Sequence, residues 1–190
     1  RKEFGLKDGL SDTTTWGEMI KRNPEIKLPR HAKLENPFVQ ILDPATGTGT
    51  FLVEVIDLIH KTMTSKWKSQ GNSDVEIIKL WNDYVPKHLL PRLYGFELMM
   101  APYTIAHMKL GLKLYETGYT FSSNERARVY LTNSLEEPND FSELFDLMAP
   151  ALAHEVKAAN RVKQRALTSV IIGNPPYAGH SANASIDHNG

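Results

Sequence analysis

Four short apolar runs punctuate the chain, each bounded by turn-forming residues: Phe38–Leu42, Arg92–Phe96, Arg128–Leu131 and Ser169–Ile172. Brief runs without polar alternation are the pattern of strands covered on both faces, as in a parallel sheet. Between them the apolar positions change to helical spacing. Phe51, Leu52, Val55, Leu58, Ile59 and Met63 predict an amphipathic helix directly after the first strand. Tyr103, Ala106, Leu110 and Leu114 share one face of a second helix, with Pro102 near its start and Gly118 as its stop. Phe141, Leu144, Phe145 and Met148 begin a third. Pro150 is expected to break it, and a charged helix from about Leu152 to Arg165 follows. This alternation predicts an α/β fold: a doubly wound, mostly parallel sheet with right-handed crossovers and helices on both faces.

Two stretches fall outside that rhythm. Residues 1–37 are polar and punctuated by Asn23-Pro24, Leu28-Pro29 and Asn36-Pro37, with one short helix near Thr15 to Lys21. They read as a lead-in from an upstream region, with the main domain running over 38–190. The segment from Thr62 to Leu90 is longer than a simple crossover needs. Trp67, Ile77, Ile78, Leu80, Trp81 and Tyr84 predict a helical insertion there, serving packing rather than chemistry.

Composition narrows the function classes. A chain of 190 residues with 41% hydrophobic content can fill the core of one domain. No apolar run approaches the roughly 18 residues of a membrane span. The absence of cysteine excludes disulfides and thiolate metal sites and fits a reducing cytoplasm, the expected location. The seven histidines are scattered, only His180 and His188 lying near each other, so they read as surface residues and no metal is expected. Lys plus Arg and Asp plus Glu stand at 22 each. Duplex-binding proteins usually carry a basic excess, so this balance alone argues against nucleic acid, unless the main DNA-gripping surface lies in other parts of the polypeptide.

The chemistry gathers where ligands bind in open α/β sheets, beyond the carboxyl ends of the strands. After the first strand comes Asp43-Pro44-Ala45-Thr46-Gly47-Thr48-Gly49-Thr50, leading straight into a helix. The paired glycines allow a tight turn and close ligand approach, the helix start offers free N–H groups, and Asp43 can accept from a cation. The loop has neither the third glycine of a dinucleotide fingerprint nor the Gly-Lys-Ser/Thr of a phosphate loop. An ammonium-bearing cofactor such as S-adenosylmethionine suits it better than a pyrophosphate. The second strand ends in Gly95-Phe96-Glu97-Leu98, where Glu97 can bind both hydroxyls of a ribose. After the third, Asn133 can bond an adenine edge or cap a turn. The fourth ends in Gly173-Asn174-Pro175-Pro176-Tyr177. Two prolines fix φ and lack an N–H, so the loop is rigid. It presents the Asn174 amide, the Pro175 carbonyl and the Tyr177 ring. Two neutral acceptors can hold both hydrogens of an exocyclic amine, localise its lone pair and aim it at a sulfonium methyl, while Tyr177 stacks on a base rotated out of the duplex.

Taken together, Asp43 to Phe51, Gly95 to Leu98 and Asn174 to Tyr177 resemble the motifs of the adenine amino-methyltransferases of the gamma arrangement, in which cofactor motifs precede the catalytic one. Phe4-Gly5-Leu6, Ile41 to Leu52, His88 to Leu114, Tyr130 to Pro138 and Asn174 to Tyr177 with Ser181-Ala182-Asn183 resemble the Type ISP restriction-modification enzymes more closely still. These are single chains joining nuclease, helicase, methyltransferase and target-recognition parts. The resemblance implies a Rossmann-like, class I S-adenosylmethionine-dependent fold. It implies that Asp43, Ala45, Thr46, Gly47 and Gly49 hold the methionine part of the cofactor, Glu97 the ribose, and Leu98 and Asn133 the adenine. Asn174, Pro175, Pro176 and Tyr177 would hold the target base, with Asn174, Pro175 and Tyr177 catalytic. The implied partners are double-stranded DNA with a flipped adenine and other domains of the same polypeptide. The family's phenylalanine-tyrosine-threonine-proline motif, its later aromatic and its recognition domain have no counterpart here, so the chain is expected to be a piece of a larger enzyme. The rival readings are an amino-methyltransferase acting on protein glutamine or RNA adenine, and a non-catalytic module of the same fold.

Overall fold

The strands β1 (Ile41–Asp43), β2 (Leu93–Glu97), β3 (Arg128–Leu131) and β4 (Val170–Ile171) pair throughout in parallel, in the order β3–β2–β1–β4. The computed structural model describes residues 4–121, 125–135, 150–165 and 168–175. The chain steps outward from β1 to β2 to β3 and then returns to the far side of β1. The order therefore reverses between β1 and β4, the crevice where such sheets take their ligands.

Helices cover both faces, as expected. On one side lie α2 (Thr50–Ser69), α3 (Asp74–Tyr84) and α4 (Met100–Glu116), whose Leu52, Ile56, Ile59, Trp81, Ala106 and Leu110 pack with Ile41, Leu93 and Val129. On the other, α5 (Pro150–Arg165) sets Ala158, Ala159 and Val162 against Leu42, Tyr94, Phe96 and Tyr130. Successive strand residues thus feed opposite cores, which is why the runs carried no polar alternation. Pro150 opens α5 as its first residue, where its missing N–H costs nothing. The expected helix from Phe141 to Met148 lies outside the described residues.

Two strands, β1 and β4, are shorter than the apolar runs, and β2 is shifted along its run by one residue. Phe38 donates its N–H to Thr14 O at 2.9 Å, drawn to the lead-in, so the β1 ladder starts only at Ile41. Arg92 closes a short 3₁₀ turn, Leu90–Arg92, rather than opening β2, which extends instead to Glu97. The insertion is helical as anticipated. α2 runs on to Ser69, and α3 follows behind a capping box in which Ser73 and Glu76 bond each other's backbone N–H groups. Trp67, Ile77, Trp81 and Tyr84 are buried, but Ile78 and Leu80 face outward. In α2, Leu58 is likewise exposed.

The lead-in packs into the same core through Leu6, Trp16 and Met19. Its helix α1 (Trp16–Arg22) starts behind a Thr15–Glu18 capping box. A buried polar joint ties it down: Arg92 donates to Asp12 O and to the Tyr84 hydroxyl, and that hydroxyl donates to Ser11 O at 2.8 Å.

Candidate functional site

The register of the sheet brings the sequence-predicted groups to one edge. Leu42 pairs with Ile171 and Asp43 with Gly95, so the residues that follow β1, β2 and β4 leave the sheet side by side. β3 joins them on the far side of β2, where Thr132 donates to Glu97 O at 2.8 Å.

The turn after β1 is built tightly. The Thr46 hydroxyl donates to Asp43 O at 3.1 Å, and the Thr46 N–H to Phe96 O at 2.9 Å, pinning the loop over β2. Ala45 donates its N–H to Asp43 Oδ1 at 3.1 Å. Gly47 and Gly49 both have positive φ, 55° and 80°, which other residues adopt only with strain. Their surroundings differ. A β-carbon on Gly49 would lie 3.2 Å from the Ala106 backbone, so this glycine seats α4 against the start of α2, whereas nothing stands within 4 Å of the same point on Gly47. Gly47 thus leaves open space above the turn, where a ligand can approach.

Glu97 closes the turn from the neighbouring strand. Its Oε2 accepts the Gly47 N–H at 2.7 Å and its Oε1 the Met99 N–H at 2.8 Å. Leu98 and Met99 stand exposed directly after it. This apolar rim suits the flat face of an aromatic ligand. Asn133 Oδ1 accepts from the Leu135 N–H at 3.1 Å. Lys163 of α5 donates to the Asn133 carbonyl at 2.6 Å.

Asp43 is fully buried, and its Oδ2 has no hydrogen-bond donor among the described residues. Burial pushes its pKa up; the Ala45 N–H bond pulls the other way, and the charge of Glu97 adds to the rise. Asn174 and Pro175 are exposed at the tip beyond β4. Pro176 and Tyr177 lie outside the described residues.

Two glycines that sequence reasoning passed over prove structural to the site. A β-carbon on Gly95 would meet Thr46 Oγ1 at 2.5 Å, and one on Gly173 would meet Asp43 Oδ1 at 2.7 Å. A glycine within or just after an apolar strand was the available signal, since it marks close backbone approach.

A cavity of about 560 Å³ opens elsewhere, bounded by Phe4, Leu6, Phe38, Leu58 and Val170 near the amino ends of β1 and β4. It contains none of the candidate site residues and reflects how the lead-in packs. Among the described residues no group of His, Asp and Glu is arranged to hold a metal, and no helix is long and apolar enough to cross a membrane.

At this edge the turn with open space above Gly47 and the exposed Asn174-Pro175 tip leave neighbouring strands. Comparison with known proteins identifies the family. The family model of the MmeI DNA-methyltransferase domain matches residues 21–189. The chain belongs to this family. It is a DNA-methyltransferase domain. Its fold is shared with a nuclease-deletion mutant of the Type ISP restriction-modification enzyme LlaGI in complex with a DNA substrate mimic, at 19% identity and a TM-score of 0.50, covering 94% of this chain and 13% of that one. DrdV in complex with DNA matches at 23% identity and a TM-score of 0.48, over 95% of this chain and 15% of that one. The ATP-dependent Type ISP enzyme LlaBIII bound to DNA matches at 19% and 0.45, over 94% and 10%. The chain therefore spans about an eighth of the length of these structures. No curated protein matches it.

Proposed function

We propose that this domain transfers a methyl group from S-adenosylmethionine to the exocyclic amine of adenine in DNA, as part of a restriction-modification enzyme. The observation that carries the reading is the adjacency of β1 and β4 in parallel, with the Gly47 turn and the Asn174-Pro175 tip leaving the same edge. A donor held at the first and an amine held at the second would lie across one cleft, within reach of direct transfer.

The residues present fit such a cofactor. Gly47 leaves room over the turn, Glu97 keeps a second lone pair on each oxygen for ribose hydroxyls, and exposed Leu98 offers an apolar face to an adenine. The buried carboxylate of Asp43 beneath the turn, together with Ala45, Thr46 and Gly49, favours the ammonium end of the methionine part, while Asn133 lines the adenine side. When bound, the cofactor supplies an electrophilic sulfonium methyl. The Asn174 side-chain oxygen and the Pro175 carbonyl accept the two amine hydrogens and orient the lone pair, with Pro176 stiffening the loop and Tyr177 stacking on the flipped base. Positioning and fixed dipoles then carry the rate, and no base need remove a proton before attack.

The fold of LlaGI, a restriction-modification enzyme solved with a DNA mimic, supports duplex DNA as the partner and further domains of the same polypeptide for recognition. The near-neutral charge of this chain agrees, since the grip on phosphates then falls to those parts. A cytoplasmic location follows from that role. The test is transfer of tritiated methyl from S-adenosylmethionine by the full-length protein to duplex DNA, release-factor protein and ribosomal RNA. Label in DNA, appearing at the N6 position of adenine after digestion, is the expected result. Label only in protein or only in RNA overturns it.

A further inference from the structure

A carboxylate that is wholly buried with an idle oxygen is costly, because it has given up water without a full set of donors. Asp43 is such a group: Oδ1 takes the Ala45 N–H, and Oδ2 takes nothing among the described residues. Its surroundings indicate what the second oxygen is for. Gly173, at the root of the Asn-Pro loop, approaches so closely that a β-carbon there would lie 2.7 Å from Oδ1, and 3.5 Å from Pro44 Cδ. Asp43 thus touches the root of both loops, the turn it begins and the tip that follows β4.

The catalytic loop needs an anchor of this kind. The Asn174 amide has an oxygen and an NH₂ group at its end, and only the oxygen can accept a hydrogen from the target amine. Something must take an N–H on the inner side, or the amide is free to turn its donors toward the substrate. We propose that Asp43 is a positioning residue for the catalytic loop: once the target amine is bound, its spare oxygen takes an N–H from the neighbouring Gly173–Asn174 segment and so sets how Asn174 faces the amine. This rests on the reading of Asn174 given above. Asp43 contributes to transfer through the loop, beyond any attraction it exerts on the cofactor. The raised pKa of the carboxyl is consistent with an acceptor waiting for a donor.

Asp43→Asn in the full-length protein separates the two roles. The variant keeps an acceptor for Ala45 and replaces the spare acceptor with a donor. With cofactor and duplex both saturating, kcat is expected to fall about a hundredfold, on the scale of one lost electrostatic contact. Cofactor Kd by calorimetry is expected to weaken as well, and saturation with both ligands keeps that loss out of kcat. A weakened Kd with unchanged kcat would assign Asp43 to the cofactor alone and overturn the proposal. The second arm is a double-substitution cycle that does not depend on Asp43→Asn folding well. Gly173→Ala pushes a methyl against the carboxylate and should lower kcat, whereas the same change in an Asp43→Ser background, where both carboxylate oxygens are gone, should cost nothing further. Losses that multiply would overturn the coupling. If the unsubstituted protein transfers no methyl to DNA, the functional reading fails and this inference falls with it. Activity with multiplying losses removes only the inference.

Discussion

Glu97 Oε2 and the Gly47 N–H stand 2.7 Å apart, joining the tip of β2 to the middle of the turn after β1. The same carboxylate starts α4 through the Met99 N–H, so one side chain holds the turn closed and places the helix beside it. Both bonds are charge-assisted and come from backbone donors that would otherwise face solvent or a ligand.

Replacing Glu97 by Ala should therefore affect both stability and binding. The expected loss is about 2 kcal/mol of unfolding free energy, given two bonds to a half-buried charge. S-adenosylmethionine affinity should fall at least tenfold, on the order of 1.4 kcal/mol. Urea unfolding and calorimetry measure the two separately. Unaltered cofactor affinity in a variant of lowered stability would reduce Glu97 to a structural clamp.

Gly95→Ala tests the floor beneath the turn. The added carbon would meet Thr46 Oγ1 at 2.5 Å and Leu52 Cδ1 at 3.0 Å, and Thr46 cannot swing away without losing its bond to Asp43 O. Overpacking of this kind costs about 1–3 kcal/mol. Gly111→Ala is the matched control. It sits inside α4 with nothing within 4 Å of its would-be β-carbon, and should gain roughly 0.5–1 kcal/mol from helix propensity, with methyl transfer unchanged. Thermal unfolding of the pair decides whether crowding under Thr46, rather than loss of glycine as such, is what matters.

The contrast between these glycines shows how far the sequence could be read. The Thr46–Gly49 turn, the Glu97 tip and the amphipathic face of α4 were legible, because each follows from a local pattern: a strand end, a glycine pair, a helical repeat. The strand limits were not. Phe38 looks as apolar as Ile41, and only the distant Thr14 decides that its N–H leaves the ladder. Gly95 and Gly173 were visible as letters, but what makes them necessary are Thr46 and Asp43, which belong to β1 and the turn after it. Asn133, open to two roles in the sequence, has its Oδ1 on the Leu135 N–H, a bond set by local backbone geometry. The Ser73–Glu76 capping box could have been found from the sequence, since Ser-x-x-Glu ahead of an apolar run is its signature.

Asn174→Ala separates chemistry from folding most cleanly, because the side chain is exposed beyond the last residue of β4. Unfolding free energy should move by less than about 0.5 kcal/mol, the ordinary range for a surface change. Methyl transfer to adenine should fall about a hundredfold or more, with cofactor affinity intact. Unchanged transfer would show that the amide is not an acceptor for the amine and would favour a non-catalytic module.

Tyr84→Phe probes the joint that ties the lead-in to the domain, remote from the cleft. The ring is buried, its hydroxyl donates to Ser11 O at 2.8 Å, and it accepts from Arg92. Phenylalanine keeps the packing but leaves a buried carbonyl and a guanidinium N–H without partners, so the expected loss is about 1–3 kcal/mol at neutral pH. The loss should depend on pH in a definite direction. Burial pushes the Tyr84 phenol from 10.0 up to about 12; the Arg92 charge opposes the rise, while Asp8 and Asp12 add to it. A folded-state pKa above the unfolded value means that the neutral phenol is favoured on folding. Its contribution is complete below the unfolded value of 10.0 and fades as pH climbs toward about 12. The stability gap between the unsubstituted protein and the variant should therefore be constant through neutral pH and narrow across that alkaline range, with lysine titrations cancelling in the difference. Urea unfolding of both proteins at matched pH steps reads this gap directly. A gap that widens with rising pH would mean that the folded protein favours the phenolate, with Arg92 outweighing burial.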